Sequence, residues 1–169
     1  SLRSKWSIIL QNQGLISNGF VSLYAPRAEF YTTPSQDVSL QSTNDWLHLL
    51  SSHETRHIYQ NELATTGISR IFKVFWGSNG QGLYSNLMIP NWLWEGDAIE
   101  TETRLNNQVG RSNIPQFSNT LNAYLSQFGV PSYSKLMSRN FRENLPNHYV
   151  FGQFITHKLS SQKGFNEIG

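Results

Sequence analysis

Trp46, Leu49, Leu50, His53 and His57 recur at spacings of three and four, the period of one face of an α-helix. Asn44-Asp45 supplies a cap-type start, so the spacing predicts an amphipathic helix over roughly residues 45 to 63, with Gly67 as the stop. Ahead of it the pattern is that of strands. Trp6-Ser7-Ile8-Ile9-Leu10 is a short apolar run bounded by Asn12 and Gly14. Residues 20–24 and 28–32 carry β-formers on either side of Pro26, and Pro34 ends the run. Residues 1 to 33 therefore predict a small sheet of three or four strands. The stretch 66–88, with Gly77, Gly80 and Gly82, reads as a flexible excursion. After the turn at Pro90 come helices at about 91–107, 116–128 and 132–140, with Pro115 and Pro131 marking starts, and a last one from Pro146 to Ser161. Strands first and helices afterwards make an α+β fold: a small N-terminal β-sheet with the long helix, followed by a helical C-terminal half.

The two histidines on the buried stripe belong to His53-Glu54-Thr55-Arg56-His57, an H-E-x-x-H pattern. One helical turn apart, both imidazoles project from one face and can grip one zinc ion, with Glu54 between them placed to take a proton from a metal-activated water. A lone histidine on such a face is more often an ordinary core residue. Two of them, with a glutamate after the first, favour a metal site.

A tetrahedral catalytic zinc takes three protein ligands and keeps its fourth position for water. The chain has no cysteine, and Gln60 and Leu63 stand where a close-following third histidine would fall, so a carboxylate is left. Asp and Glu number 11 of 169, and four of them lie in Glu95-Gly96-Asp97-Ala98-Ile99-Glu100-Thr101-Glu102. Glu95 follows Trp92 and Trp94, which should be buried; a carboxylate against tryptophans is poorly solvated and wants a cation. Asp97 and Glu100 instead suit a solvated acidic helix start, favoured by the macrodipole. The candidate ligand set is His53, His57 and Glu95.

These residues resemble a family. His53 to His57 together with Trp92-Leu93-Trp94-Glu95-Gly96-Asp97-Ala98 is similar to the H-E-x-x-H and W-x-x-E-G-x-A pair of the gluzincin metallopeptidases, the thermolysin and aminopeptidase N group. The closer resemblance is to small peptidase-MA-like domains of bacterial proteins, which often precede a β-propeller. Ser17-Asn18-Gly19, Trp46 through His57, Pro90 through Ala98, and Tyr149-Val150-Phe151-Gly152-Gln153-Phe154 match its motifs, so the likeness spans nearly the whole chain. It implies a zincin-like fold and a zinc-dependent peptidase using peptide or protein substrates. It also implies an edge strand that pairs with extended substrate, and an oxyanion donor from the helical half. His148 and Tyr149 are the candidates for that donor, with Tyr149 preferred; a core aromatic is an equal reading for Tyr149. Gly152 would allow close helix packing.

The chain departs from the family in three respects. Between His57 and Glu95 lie 37 residues, more than in aminopeptidase N-like enzymes, although an inserted loop costs little closure entropy. Ile99 stands where the thermolysin group has a histidine-orienting Asp. Glu102, on the same helix face as Glu95, either takes that part or is simply solvated. The G-x-M-E-N-type loop that binds a substrate amine is absent, which favours endopeptidase over aminopeptidase activity.

Composition narrows the field further. At 169 residues and 19.4 kDa, residues 1–169 form one domain; the start at Ser1 suggests an excised domain or mature fragment of a larger protein, with further domains as partners. No apolar run approaches a membrane span. The net charge of +2 comes from scattered cations, which argues against nucleic acid. Charged residues are only 14 % and aromatics 13 %, a balance that fits an extracytoplasmic bacterial protein, whether secreted, periplasmic or at the cell surface. His157 reads as a surface histidine near a helix end. The competing function is a non-catalytic, zinc-stabilised domain that binds a peptide or protein; the intact Glu54 weighs against it, since a structural site has no use for a base.

Overall fold

A computed structural model describes residues 5–22, 26–37, 45–105, 110–138, 142 and 145–163. Among these residues three short strands, β1 (Ser7–Gln11), β2 (Gly19–Ser22) and β3 (Arg27–Tyr31), precede six α-helices: α1 (Trp46–Leu63), α2 (Gly67–Met88), α3 (Asn91–Leu105), α4 (Pro115–Phe128), α5 (Tyr133–Ser138) and α6 (His148–Lys163). A 3-10 turn at Arg111–Asn113 links α3 to α4. The chain is thus mixed α+β, with a small N-terminal sheet followed by mostly helical segments. Expected extensions over residues 23–24, 106–107 and 139–140, and the cap partner Asn44, lie outside the described residues.

The sheet order is β1-β3-β2, with β1 parallel and β2 antiparallel to the central β3. Among the described strands only β3 is buried along its middle, at Ala28, Glu29 and Phe30; it lies between the other two and under α1. Trp46, Leu50 and Ile58 of α1 pack on Ala28 and Phe30, and the Trp46 indole donates to the Tyr31 carbonyl at 2.8 Å. The apolar stripe of α1 therefore sits on the sheet, while Asp45 caps its start by accepting from the His48 amide at 2.9 Å.

A second core joins α3, α4 and α6 through Ile99, Phe117, Leu121, Val150 and Phe151. Helix α3 lies between the two cores. Its contact with α6 is made by paired glycines: a Cβ on Gly96 would lie 2.1 Å from the Gly152 carbonyl carbon, and one on Gly152 would lie 2.0 Å from the Trp92 carbonyl oxygen. No side chain fits there, so the two backbones touch.

Two expectations need correcting. Residues 66–88 are no loose excursion but helix, broken only at Gly77, whose φ of 66° and ψ of −158° no helix accommodates. Flexibility was inferred from the glycines, yet Gly80 serves to let the two halves pack: its Cβ would fall 2.5 Å from that of Trp76. Gly67 likewise does not stop α1, which ends at Leu63 with Ala64 as its cap; it opens α2 with φ of 54°.

Candidate metal centre

Helix α1 presents His53 and His57 to the second turn of α3, where Glu95 stands. Nε2 of His53 lies 3.2 Å from Glu95 Oε2 and 3.2 Å from Nε2 of His57, which in turn is 3.5 Å from Glu95 Oε2. A tetrahedral ion with ligands at about 2.0–2.1 Å has ligand–ligand edges of about 3.3–3.4 Å. The triangle matches that size, so the three residues lie close enough to bind one metal ion.

The far sides of both imidazoles decide which way their lone pairs point. Gln60 donates through Nε2 to the Trp94 carbonyl at 2.9 Å and to Asp97 Oδ2 at 2.7 Å. Its amide orientation is thereby fixed, with Oε1 turned to His57 Nδ1 at 2.7 Å. An amide oxygen only accepts, so His57 must carry its proton on Nδ1. His53 Nδ1 faces Glu102 Oε2 at 3.1 Å, again an acceptor. Glu102 is fully buried and accepts from Arg111 through Nε at 2.6 Å and Nη2 at 2.7 Å, and Nη2 lies 2.6 Å from His53 Nδ1 beside it. With its Nδ1 donating, His57 turns its Nε2 lone pair toward the Glu95 oxygen, an arrangement suited to a cation; His53 Nδ1 stands between an acceptor, Glu102, and a donor, Arg111 Nη2.

Electrostatics follow the same geometry. Burial pushes the Glu102 carboxyl up, but the Arg111 guanidinium and the hydrogen bonds from Arg111 and His53 outweigh it and hold the group at about 2. Burial also raises Glu95; when His53 and His57 carry protons on Nε2 and donate to it, they more than reverse this and leave it far below the usual carboxylate range. Glu54 goes the other way. Burial raises its pKa more than the two histidines lower it, and its Oε2 is enclosed with no hydrogen-bond partner.

The cluster opens into a cleft of about 700 Å³ whose lining includes His53, Glu54, His57, Glu95, Arg111 and Tyr149. Gly19 to Val21 of β2 form one wall. Gly19 stands directly over the base: a Cβ there would lie 2.7 Å from Leu50 Cδ1 and 3.0 Å from Glu54 Oε1. His148 is not among the cleft residues, although its ring stacks on that of Tyr149 with centroids 4.3 Å apart.

The acidic segment is less solvated than expected. Asp97 accepts from Arg56 at 2.7 and 3.1 Å besides Gln60, and Glu100 is 3 % exposed, bonded to Arg104, Gln153 and His157. The start of α3 is not a free end, because α1 and α6 pack against it. Trp92 and Trp94 are half-buried rather than buried. The sequence reading missed Gln60 and Arg111. Gln60 had a signal, one turn after His57 on the same face; Arg111 comes from beyond α3 and had none. No protein-family model matches the chain, and no curated protein or solved structure matches it either.

Proposed function

We propose that this chain is a zinc-dependent peptidase of gluzincin type, with a zincin-like fold in a single catalytic domain. The observation that carries the reading is the triangle of His53, His57 and Glu95 beside the unpartnered buried carboxylate of Glu54, at the floor of an open cleft. Held there by its three ligands, zinc supplies Lewis acidity and an acidified water. The donor set suits it: two imidazoles and one carboxylate, each imidazole anchored on its far side.

The chain's own residues do the rest. Glu54, raised by burial and free of competing hydrogen bonds, takes the proton from the attacking water and returns it to the leaving amine. Gln60 holds His57 in the tautomer that leaves Nε2 unprotonated, and Glu102 with Arg111 fixes the orientation of the His53 ring. Among the described strands β2 is an edge, paired only to β3 and lining the cleft, so an extended peptide can add beside it. Tyr149 and Arg111 both line the cleft as donors for the oxyanion that develops at the scissile carbonyl. His148, outside the lining, is the weaker candidate for that role. A cleft without an amine-binding loop suits endopeptidase action.

The test is a mixed peptide library digested by zinc-loaded protein and read by mass spectrometry, with Glu54→Gln alongside. Cleavage by the wild type alone, with equal zinc content in both, is the expected result. Cleavage surviving Glu54→Gln removes the base from the mechanism. No cleavage by either overturns the peptidase reading in favour of a non-catalytic zinc-stabilised binding domain.

A further inference from the structure

Helix α2 is built inside out for a protein surrounded by water. Its two halves, 67–76 and 78–88, fold on each other about Gly77, with Phe72 stacked on Tyr84 at 5.2 Å and Gly80 against Trp76. The buried positions are Ser69, Gly80, Gln81, Gly82 and Ser85, all small or polar. The outward ones are large and apolar: Ile71 53 %, Val74 75 %, Phe75 73 %, Trp76 63 %, Leu83 61 % and Leu87 76 % exposed. A surface helix in water shows the reverse pattern, whereas small residues between helices and apolar ones outward is the pattern of helices packed in lipid.

Length and charge narrow what covers this face. Each half is about 15 Å long by helical rise, enough for one leaflet of a hydrocarbon core of about 30 Å. No helix among the described residues is long and apolar enough to cross a membrane. The sequence from Leu63 to Trp94 contains no Asp or Glu, while Arg70 and Lys73 stand on the first half. An aromatic tip, outward aliphatic side chains and cations without acids together fit an anionic bilayer surface. Gln81 ties the hairpin to α1 by donating to the Asn61 carbonyl and to Thr65 Oγ1. Beyond that α2 packs only slightly on the other described elements, so its apolar side chains are free for lipid.

We propose that the α2 hairpin is a membrane-docking wedge, seated in the interfacial region of a bilayer rich in anionic lipid. The proposal is independent of the metal reading. The test is co-flotation of the whole chain with vesicles of phosphatidylcholine mixed with phosphatidylglycerol, compared with phosphatidylcholine alone. The mixed vesicles should carry the protein up. Val74→Asp with Phe75→Asp should abolish flotation; both side chains are mostly solvent-exposed, and circular dichroism checks that the fold persists. Arg70→Gln with Lys73→Gln should weaken binding roughly thirty-fold, from about 1 kcal/mol for each basic residue at such a surface. Wild type that floats with neither vesicle, or flotation indifferent to Val74→Asp and Phe75→Asp, overturns the proposal. So does self-association in sedimentation that Val74→Asp with Phe75→Asp abolishes while no vesicle is bound, since a second copy would then cover the face.

Discussion

Replacing Gln60 with leucine isolates the device that sets the His57 tautomer. Gln60 is 8 % exposed, and leucine keeps its bulk, burial and helix propensity. The change removes three hydrogen bonds, to His57 Nδ1, the Trp94 carbonyl and Asp97. Asp97 keeps Arg56, and the Trp94 carbonyl keeps its place in α3, so the His57 Nδ1 proton is the group left without an acceptor. Leaving one buried donor unpaired costs about 1–3 kcal/mol, and His57 is only partly buried, so the metal-free fold should lose about 1–2 kcal/mol. Zinc should lose more than that accounts for. Removing the partner of a ligating histidine typically costs 10–100-fold in metal affinity, or about 1.4–2.7 kcal/mol. The assay is competition for zinc against a chromophoric chelator at fixed pH, with unfolding of the metal-free protein measured in parallel. Gln60→Glu keeps an acceptor facing Nδ1 but sets its second oxygen against Asp97 and the Trp94 carbonyl, so it should lose fold stability while holding zinc more tightly than Gln60→Leu. If Gln60→Leu holds zinc as tightly as the wild type, the Nδ1 bond does not orient His57 and the tautomer argument fails.

Three further outcomes are expected. Gly96→Ala would drive a methyl to 2.1 Å from the Gly152 carbonyl carbon, so α3 and α6 must part; a loss of about 2–3 kcal/mol in urea unfolding is expected, with zinc affinity falling because Glu95 moves too. Chelation of bound zinc should lower the melting temperature of the wild type while leaving that of His53→Ala unchanged. Glu100 is raised by burial but lowered more by its bonds to Arg104, His157 and Gln153, so its folded pKa lies below 4.5. Its stabilisation is therefore present above pH 4.5 and lost as pH falls toward the folded value, and Glu100→Gln should flatten that acid limb of a stability–pH curve.

What the sequence made legible is what local pattern controls. The α1 boundaries follow from an apolar stripe with a cap, and His53 and His57 on one face follow from the period alone. Bringing Glu95 to them was also within reach, because no other class of ligand remained. The order β1-β3-β2 was not, since it depends on how the β1–β2 connection crosses the sheet, and residues 1–33 carry no signal for it. The α2 hairpin was missed because glycine has two uses. At Gly77 it permits a positive φ, and at Gly80 it makes room for Trp76; sequence alone shows only that something unusual is permitted. Glu102 was left between two readings for a related reason. Its burial depends on Arg111, whose approach is a tertiary event after α3 has ended.

The charges around the cleft bear on the metal reading. Arg56 matches Asp97, and Arg104 with His157 satisfies Glu100, so those pairs balance locally. The inner group is different. Glu54, Glu95 and Glu102 face one buried guanidinium, Arg111, and with both imidazoles neutral this leaves a deficit of two charges when all three carboxylates are ionised. Burial and Arg111 lower the His53 pKa, but Glu102 and Glu95 raise it more. Without a metal, protonated His53 therefore offsets one charge and the carboxylate with the fewest hydrogen bonds yields the other. It is Glu54, whose pKa is the one raised by burial while its neighbours stay ionised. A divalent ion held by His53, His57 and Glu95 would close the deficit and let Glu54 ionise, as the proposed base role requires. A purely structural reading explains Glu102 and Arg111, which pair with each other, but gives no reason to bury Glu54 without a partner beside an open cleft.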